Sequence, residues 1–236
     1  MTLFFVEDIA SSVINLPAEE SKHCVKVLRM AAGEELFITD GNGTLCRCAI
    51  LDADPRSCLV EVVERMEHYE ERPHKLHIAV APTKNTARLE WFIEKAVEIG
   101  IDEITPIVCD HSERMALKTE RLEKIVISAM KQSLKAYKPI IHEPVKMVDF
   151  LEQQASKLGT TRMICYCEGD NRTPLQHVYQ GSGDALVLIG PEGDFSEREI
   201  TKALAVGFNP VTLGTCRLRT ETAALYATVA CNFLSK

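Results

Sequence analysis

No apolar run in this chain approaches the roughly 20 residues a helix needs to cross a bilayer. The first twenty residues, MTLFFVEDIASSVINLPAEE, lack a basic leader and a small-residue cleavage site, so the expectation is a soluble, cytoplasmic protein. The nine cysteines include no Cys-x-x-Cys pair, and an odd number without that spacing argues against a disulfide scaffold or a zinc cluster. The closest spacings, Cys46-x-Cys48 and Cys165-x-Cys167, are those of alternating strand positions, which place two small apolar side chains on one face. His23, His74 and His77 are scattered, with no metal spacing and no Ser or Cys partner, which disfavours hydrolase chemistry; no metal is expected. Also missing are the GxGxxG fingerprint of a dinucleotide site and the GxxxxGK(S/T) loop of a nucleoside triphosphate site. The GxG of GSGDAL (181 to 186) precedes its apolar run and reads as a turn.

An excess of positive charge is lacking as well: the chain carries a net charge of -7. Its distribution is uneven, because residues 1 to 72 hold 7 Lys/Arg against 14 Asp/Glu, whereas residues 73 to 236 hold 20 of each sign. Within that balanced part, residues 112 to 139 carry 7 basic and 3 acidic residues, and phosphate binding responds to such local fields more than to total charge.

What is there falls into two patterns. Residues 1 to 70 are strand-like and turn-rich: LFFVED, then ELFITDGNGTLCRCAIL around a DGNG turn, then SCLVEVVERM after DADP, which predicts a small β-barrel or sandwich. One helical interruption is expected at AEESKHCVKVLRMAAGE, with Val25, Leu28 and Met30 inward and Gly33 closing it. The charged stretch EHYEERPHK reads as a linker, which places a second domain at residues 74 to 236.

There strands alternate with helices, the mark of a parallel α/β sheet. KLHIAVA is followed by the helix TARLEWFIEKAVEIG, with Leu89, Phe92, Ile93, Ala96 and Val97 at helical spacing and Gly100 as its cap; Trp91 and Phe92 are expected in the core or at a dimer contact. ITPIVC is the next strand. TERLEKIVISAMKQSLKAY is the next helix, aligning Arg121, Lys124, Lys131 and Lys135 in one stripe. The last third repeats one unit: ALVLIG, a GPEGD turn and a helix opened by a Ser196/Glu199 capping box, then NPVTLG, a TCRLR turn and a helix with Thr220 or Thr222 as N-cap. Both glycine turns fall at carboxyl ends of strands, where open α/β sheets bind ligands. Pro191 removes an amide from the first, which suits a neutral or cationic ligand read by backbone edges better than a phosphate.

GPEGDFSEREI and LGTCRLRTETAA resemble the two C-terminal signatures of the RsmE family of SPOUT methyltransferases. HCVKVLRMAAGEEL and PTKNTARLEWFIEKAVEIGIDEITPIVC are similar to its earlier segments. The resemblance implies S-adenosylmethionine-dependent methylation of uridine N3 in 16S rRNA of the small ribosomal subunit, an α/β SPOUT domain with a deep C-terminal trefoil knot, a PUA-like RNA-binding barrel before it, and a homodimer. Carried over by position, it implies that Cys167, Glu168, Gly190, Pro191, Glu192, Gly193, Leu213, Gly214, Leu218 and Thr220 hold the cofactor. Lys84, Arg114, Gln132 and Lys135 are candidates for contact with RNA. Methyl transfer to a ring nitrogen needs charge facing the developing oxyanions, which makes Arg219 the catalytic candidate; Glu221 would orient it or act as base, unless the two form a plain helix-start ion pair. Asp194 stands where the family more often has glycine, Cys216-Arg217 where it has Arg-Ile, and Lys131 and Lys135 where it has Glu and Arg. Two other readings remain open: a non-catalytic RNA-binding or ribosome-assembly protein, and a different nucleotide-dependent α/β enzyme.

Overall fold

The computed structural model describes residues 2–113, 117–154, 159–167 and 171–235. The chain forms two compact units, Met1–Glu71 with Ile127–Lys138, and Arg72–Val126 with Pro139–Lys236.

The first unit contains β1 (Leu3–Phe5), β2 (Val13–Asn15), α1 (Ala18–Lys22) running into a π-helical turn (His23–Val27), β3 (Glu35–Thr39), β4 (Leu45–Asp52) and β5 (Leu59–Met66). They form one sheet in the order β1-β3-β4-β5-β2, with β1 parallel to β3 and the other pairs antiparallel. The alternation read at Cys46-x-Cys48 holds: Cys46, Cys48 and Ile50 of β4 are buried in one cluster with Leu36, Ile38 and Val60. Leu28 departs from expectation and is 40% exposed. The reason is the π turn, in which Leu28 N–H donates to His23 O at 3.0 Å; the wider turn rotates Leu28 off the face that a 3.6-residue period predicts, while Val25 and Met30 still pack on the core.

The second unit contains β6 (Leu76–Val80), α2 (Thr86–Ile99), β7 (Glu103–Val108), α3 (Thr119–Gln132), β8 (Ile140–Ile141), β9 (Val145–Lys146), α4 (Met147–Gln154), β10 (Thr160–Cys165), β11 (Thr173–Pro174), α5 (Leu175–Val178), β12 (Asp184–Ile189), α6 (Glu197–Ala205), β13 (Asn209–Thr212) and α7 (Thr220–Leu234), the last turns of α3 counting with the first unit. Its strands form a parallel sheet in the order β11-β13-β10-β12-β6-β7-β8, with β9 also on β7. All of β6 except His77 is buried, and so are the last five residues of β12, because helices cover both faces of a central parallel strand. Phe92 lies in the core, whereas Trp91 is 45% exposed, which removes it from the core reading.

The predicted basic stripe is cut short: Arg121, Lys124 and Lys131 lie on α3, but Lys135 does not. α3 stops at Gln132, and Leu134 takes a left-handed φ of 58°, so Lys135 lies beyond the helix. The segment after it packs with the first unit instead: Thr39 Oγ1 donates to Ala136 O at 3.0 Å, Lys138 N–H donates to Gly41 O at 2.8 Å, and Tyr137 lies against Gly43. Lys131 pairs with Glu20 at 2.5 Å and Arg121 with Glu90 at 2.7 Å, so carboxylates match both of these cations.

Candidate active site

The capping box read from sequence is present. Ser196 Oγ accepts from Glu199 N–H at 3.3 Å and Glu199 Oε2 accepts from Ser196 N–H at 2.9 Å. Glu199 does more than cap, because its other oxygen accepts from Asp110 N–H at 2.9 Å and its side chain is fully buried. That bond ties the loop after β7 to the start of α6. His111, next in that loop, has Nδ1 at 3.1 Å from Gly193 O and 3.0 Å from Asp194 O. Both partners are acceptors, so Nδ1 carries the proton.

Asp194 has φ 63°, in the left-handed region where glycine is cheapest and Asp among the least costly alternatives. Its carboxylate accepts from Cys167 N–H at 2.7 Å and Phe195 N–H at 2.8 Å, joining the GPEG turn to the end of β10. A glycine at 194 has no carboxylate to make that link. Partial desolvation by the surrounding loops, and next the Asp194 carboxylate, push the Cys167 thiol above its usual range, which keeps it a neutral thiol at physiological pH. Cys167 itself is exposed and lies two residues past the end of β10, so the alternation expected for Cys165-x-Cys167 does not extend to it.

Thr220 departs from the N-cap role. Arg219 occupies the cap position of α7 without a side-chain cap bond, and Thr220 is the first helical residue. Its buried hydroxyl donates to Gly190 O at 3.0 Å, fastening the start of α7 to the turn after β12. Losing that hydroxyl would leave a buried carbonyl unpaired, at a cost of about 1–3 kcal/mol. Neither does the Arg219–Glu221 ion pair form as the alternative reading had it: Glu221, buried to 7% exposure, has Oε1 at 3.7 Å from Arg88 Nε on α2. Its Oε2 is buried with no hydrogen-bond partner among the described residues. Arg219 is exposed.

Five loops thus meet at the carboxyl ends of β6, β7, β10, β12 and β13. The first joins through Glu192, whose Oε1 accepts from Lys84 N–H at 3.2 Å, while Lys84 Nζ pairs with Glu113 at 2.8 Å. Gly190, Pro191, Glu192, Gly193 and Cys167 are brought together here by these bonds, with Thr220 fastened to Gly190; Leu218 and Arg219 stand directly before Thr220 and Glu221 directly after it, while Leu213 and Gly214 open the last loop, Gly214 at φ 118°. Arg114 and Glu168 lie outside the described residues. Gln132 and Lys135 belong to the Ile127–Lys138 segment of the first unit. Sequence reasoning missed Asp110, His111 and Arg88. The first two follow the strand ITPIVC at its carboxyl end and were findable by that position; Arg88 reaches Glu221 only through the packing of α2 on α7.

Among the described residues no helix is long and apolar enough to cross a membrane. The sequence pattern of an RNA methyltransferase domain matches residues 70–232, and that of an RNA methyltransferase PUA domain matches residues 16–63. A Mesomycoplasma hyopneumoniae protein named ribosomal RNA small subunit methyltransferase E is 32% identical over 75% of this chain and 78% of its own length. Among solved structures, one described as a "probable rRNA-methyltransferase" from Porphyromonas gingivalis superposes with a TM-score of 0.92 at 43% identity, covering 100% of this chain and 98% of the other. A Neisseria gonorrhoeae ribosomal RNA small subunit methyltransferase E bound to S-adenosyl methionine superposes at 0.89 with 26% identity, covering 99% and 98%. These matches, the first spanning most of the sequence, show that the chain belongs to the RNA methyltransferase family and carries the family's PUA domain ahead of the methyltransferase domain.

Proposed function

We propose that this protein methylates ring nitrogen N3 of one uridine of 16S ribosomal RNA in the assembled small subunit, with S-adenosylmethionine as donor. The observation that carries this reading is the fastening of the two glycine turns through Thr220 and Gly190 at the carboxyl ends of a parallel sheet. The relatives named ribosomal RNA small subunit methyltransferase E, one of them with bound S-adenosyl methionine, support it.

The turns fit a ligand read by backbone edges. A Cβ at Gly190 would lie 3.1 Å from the Phe195 ring and one at Gly193 3.2 Å from His111 Cβ, so glycine keeps the chain this close, while Gly214 has open space beside its Cα. Cys167, Gly190, Pro191, Glu192, Gly193, Leu213, Gly214, Leu218 and Thr220 would hold the cofactor, with Glu168 added by family position. When bound, it supplies an electrophilic methyl group. Uracil N3 is mostly protonated at neutral pH, so the remaining task of the protein is to position the base and to face O2 and O4 with positive charge. Arg219 supplies that charge. Of the two roles expected for Glu221, orienting Arg219 is disfavoured by its ion pair with Arg88, and acting as base is supported by its acceptor oxygen without a partner among the described residues. Lys84, Gln132 and Lys135, with Arg114, contact the RNA.

In the same reading residues 1–70 are the PUA-like RNA-binding barrel and 74–236 a SPOUT methyltransferase domain with a deep trefoil knot. What supports the knot is the path of the chain, in which β13 pairs with β10 and β11 on the far side of β10 from β12, and α7 then packs back on α2, β6 and β12. The protein acts in the cytoplasm as a homodimer. Tyr226, Val229 and Phe233, at helical spacing on α7, are 51%, 47% and 72% exposed, beside an α2 that carries the exposed Trp91. Light scattering is expected to give twice the 26.3 kDa chain mass; the mass of one chain overturns the dimer.

The test of function is transfer of labelled methyl to unmodified small subunits and to naked 16S rRNA, with reverse transcription to locate a blocked base. A stop at one uridine, strong with subunits and weak with naked RNA, is expected. Cofactor binding without transfer to either moves the substrate elsewhere, and absence of cofactor binding favours a non-catalytic RNA-binding protein.

A further inference from the structure

We propose that His77, Glu103 and His142 form a binding site for a divalent cation of the zinc class, toward the amino ends of the strands and remote from the loops described above. Strand pairing puts the three residues side by side. His77 on β6 is in register with Glu103 on β7, and Glu103 with Ile140 on β8, so alternation brings Glu103, Thr105 and His142 to one face together with His77. Their ligand atoms all lie within 4.8 Å of one another. Glu103 Oε2 is 2.8 Å from His142 Nε2 and 3.9 Å from His77 Nδ1. A tetrahedral zinc with bonds of about 2.0–2.1 Å separates its ligand atoms by about 3.3 Å, a spacing these two distances bracket, and a bound cation would replace the proton through which His142 Nε2 hydrogen-bonds Glu103 Oε2.

The surroundings are those of a metal site. His77 Nε2 is 2.7 Å from the hydroxyl of Thr105, itself 3% exposed, and the tautomer in which Nε2–H donates to Thr105 puts the lone pair on Nδ1, 3.9 Å from Glu103 Oε2. The Phe150 ring meets His77 edge-on at 5.7 Å and restricts its rotation. Side-chain exposure rises from 13% at His77 through 26% at Glu103 to 40% at His142, which gives an entry path and room for a water as fourth ligand. Two imidazoles with one carboxylate suit zinc and exclude magnesium or calcium, which prefer oxygen ligands throughout. The cation would pin the two-residue edge strand β8 to β7 and β6. It therefore acts through stability and not through the transfer chemistry, and the proposal stands or falls independently of the function proposed above.

The test uses the full chain, stripped with a chelator and titrated with zinc, alongside His142→Ala and Glu103→Gln. Cysteines also bind zinc, so the readout is the difference between proteins: wild type is expected to bind one equivalent more than either variant, and saturating zinc to raise its melting temperature but not theirs. Cobalt in place of zinc should add d–d absorption of a nitrogen–oxygen set, present in wild type and lost in both variants. Equal stoichiometry in all three proteins, or cobalt bands arising only from thiolate ligands, overturns the proposal. His142 is partly exposed, so its alanine variant keeps the fold; should it not, Glu103→Gln alone decides, since it preserves shape while removing the ligand charge.

Discussion

Replacing Arg219 by alanine is expected to lower the turnover of methyl transfer by about 10²–10³-fold, or about 2.7–4 kcal/mol of activation free energy, the effect of removing one preorganised group that stabilises a developing oxyanion. Cofactor affinity should change far less, because the residues proposed to hold the cofactor do so with glycine turns and the Thr220 anchor. Local structure sharpens the expectation. Arg219 occupies the cap position of α7 with no cap bond, and a cation there opposes the positive end of the helix dipole by a few tenths of a kcal/mol or more. Removing the arginine should therefore leave the melting temperature unchanged or raise it. Lower activity without lower stability is the signature of a residue kept for chemistry. An Arg219→Ala enzyme with unaltered turnover removes the role, and one whose cofactor affinity falls as much as its turnover moves Arg219 to the cofactor.

Gly181→Ala should have the largest effect on stability. Gly181 sits at φ 84°, and a Cβ there would lie 1.9 Å from Leu234 O and 2.4 Å from Leu234 C, both backbone atoms at the end of α7. The same junction is held by Tyr179, whose hydroxyl is 3.0 Å from Gly183 O and 2.7 Å from Ser235 Oγ. Alanine must either push the helix end away or abandon the turn, on top of the left-handed penalty, for a total loss of about 3–5 kcal/mol. Urea unfolding is expected to show a markedly lower midpoint with little change in slope. Because α7 carries Thr220 and Glu221 in its first turn and Arg219 at its cap position, activity should fall with it even below the unfolding midpoint. An unchanged midpoint would mean that this junction rearranges at no cost.

The first of these predictions rests on residues visible in the linear chain, the second on a contact between positions 181 and 234 that no local pattern reports. That division runs through the whole protein. Strand and helix identity from β6 to β7, the Gly100 cap, the Ser196/Glu199 box and the placing of both glycine turns at strand ends were legible, because each depends on side-chain period or on neighbours within a few residues. Errors began where a local signal met a tertiary partner. Thr220 reads as a cap from its type, yet its hydroxyl goes to Gly190; Lys135 reads as the end of a helical stripe, yet the chain turns at Leu134 so that residues 136 to 138 meet the DGNG turn. The very short elements β8, β9, β11 and α5 carry too few residues for any period to show.

By itself, then, the sequence determined the parallel α/β organisation of the second unit, the strand-rich first unit and the two turns that resemble a methyltransferase signature, since hydrophobic period and turn chemistry are written residue by residue. Only the tertiary structure decided that Glu221 faces Arg88, that Asp194 joins two loops through the Cys167 amide, and that His77, Glu103 and His142 converge. Those groupings depend on strand order, register and helix packing, which bring together residues as far as 133 positions apart in the chain, and no pattern of spacing along a sequence encodes such a distance.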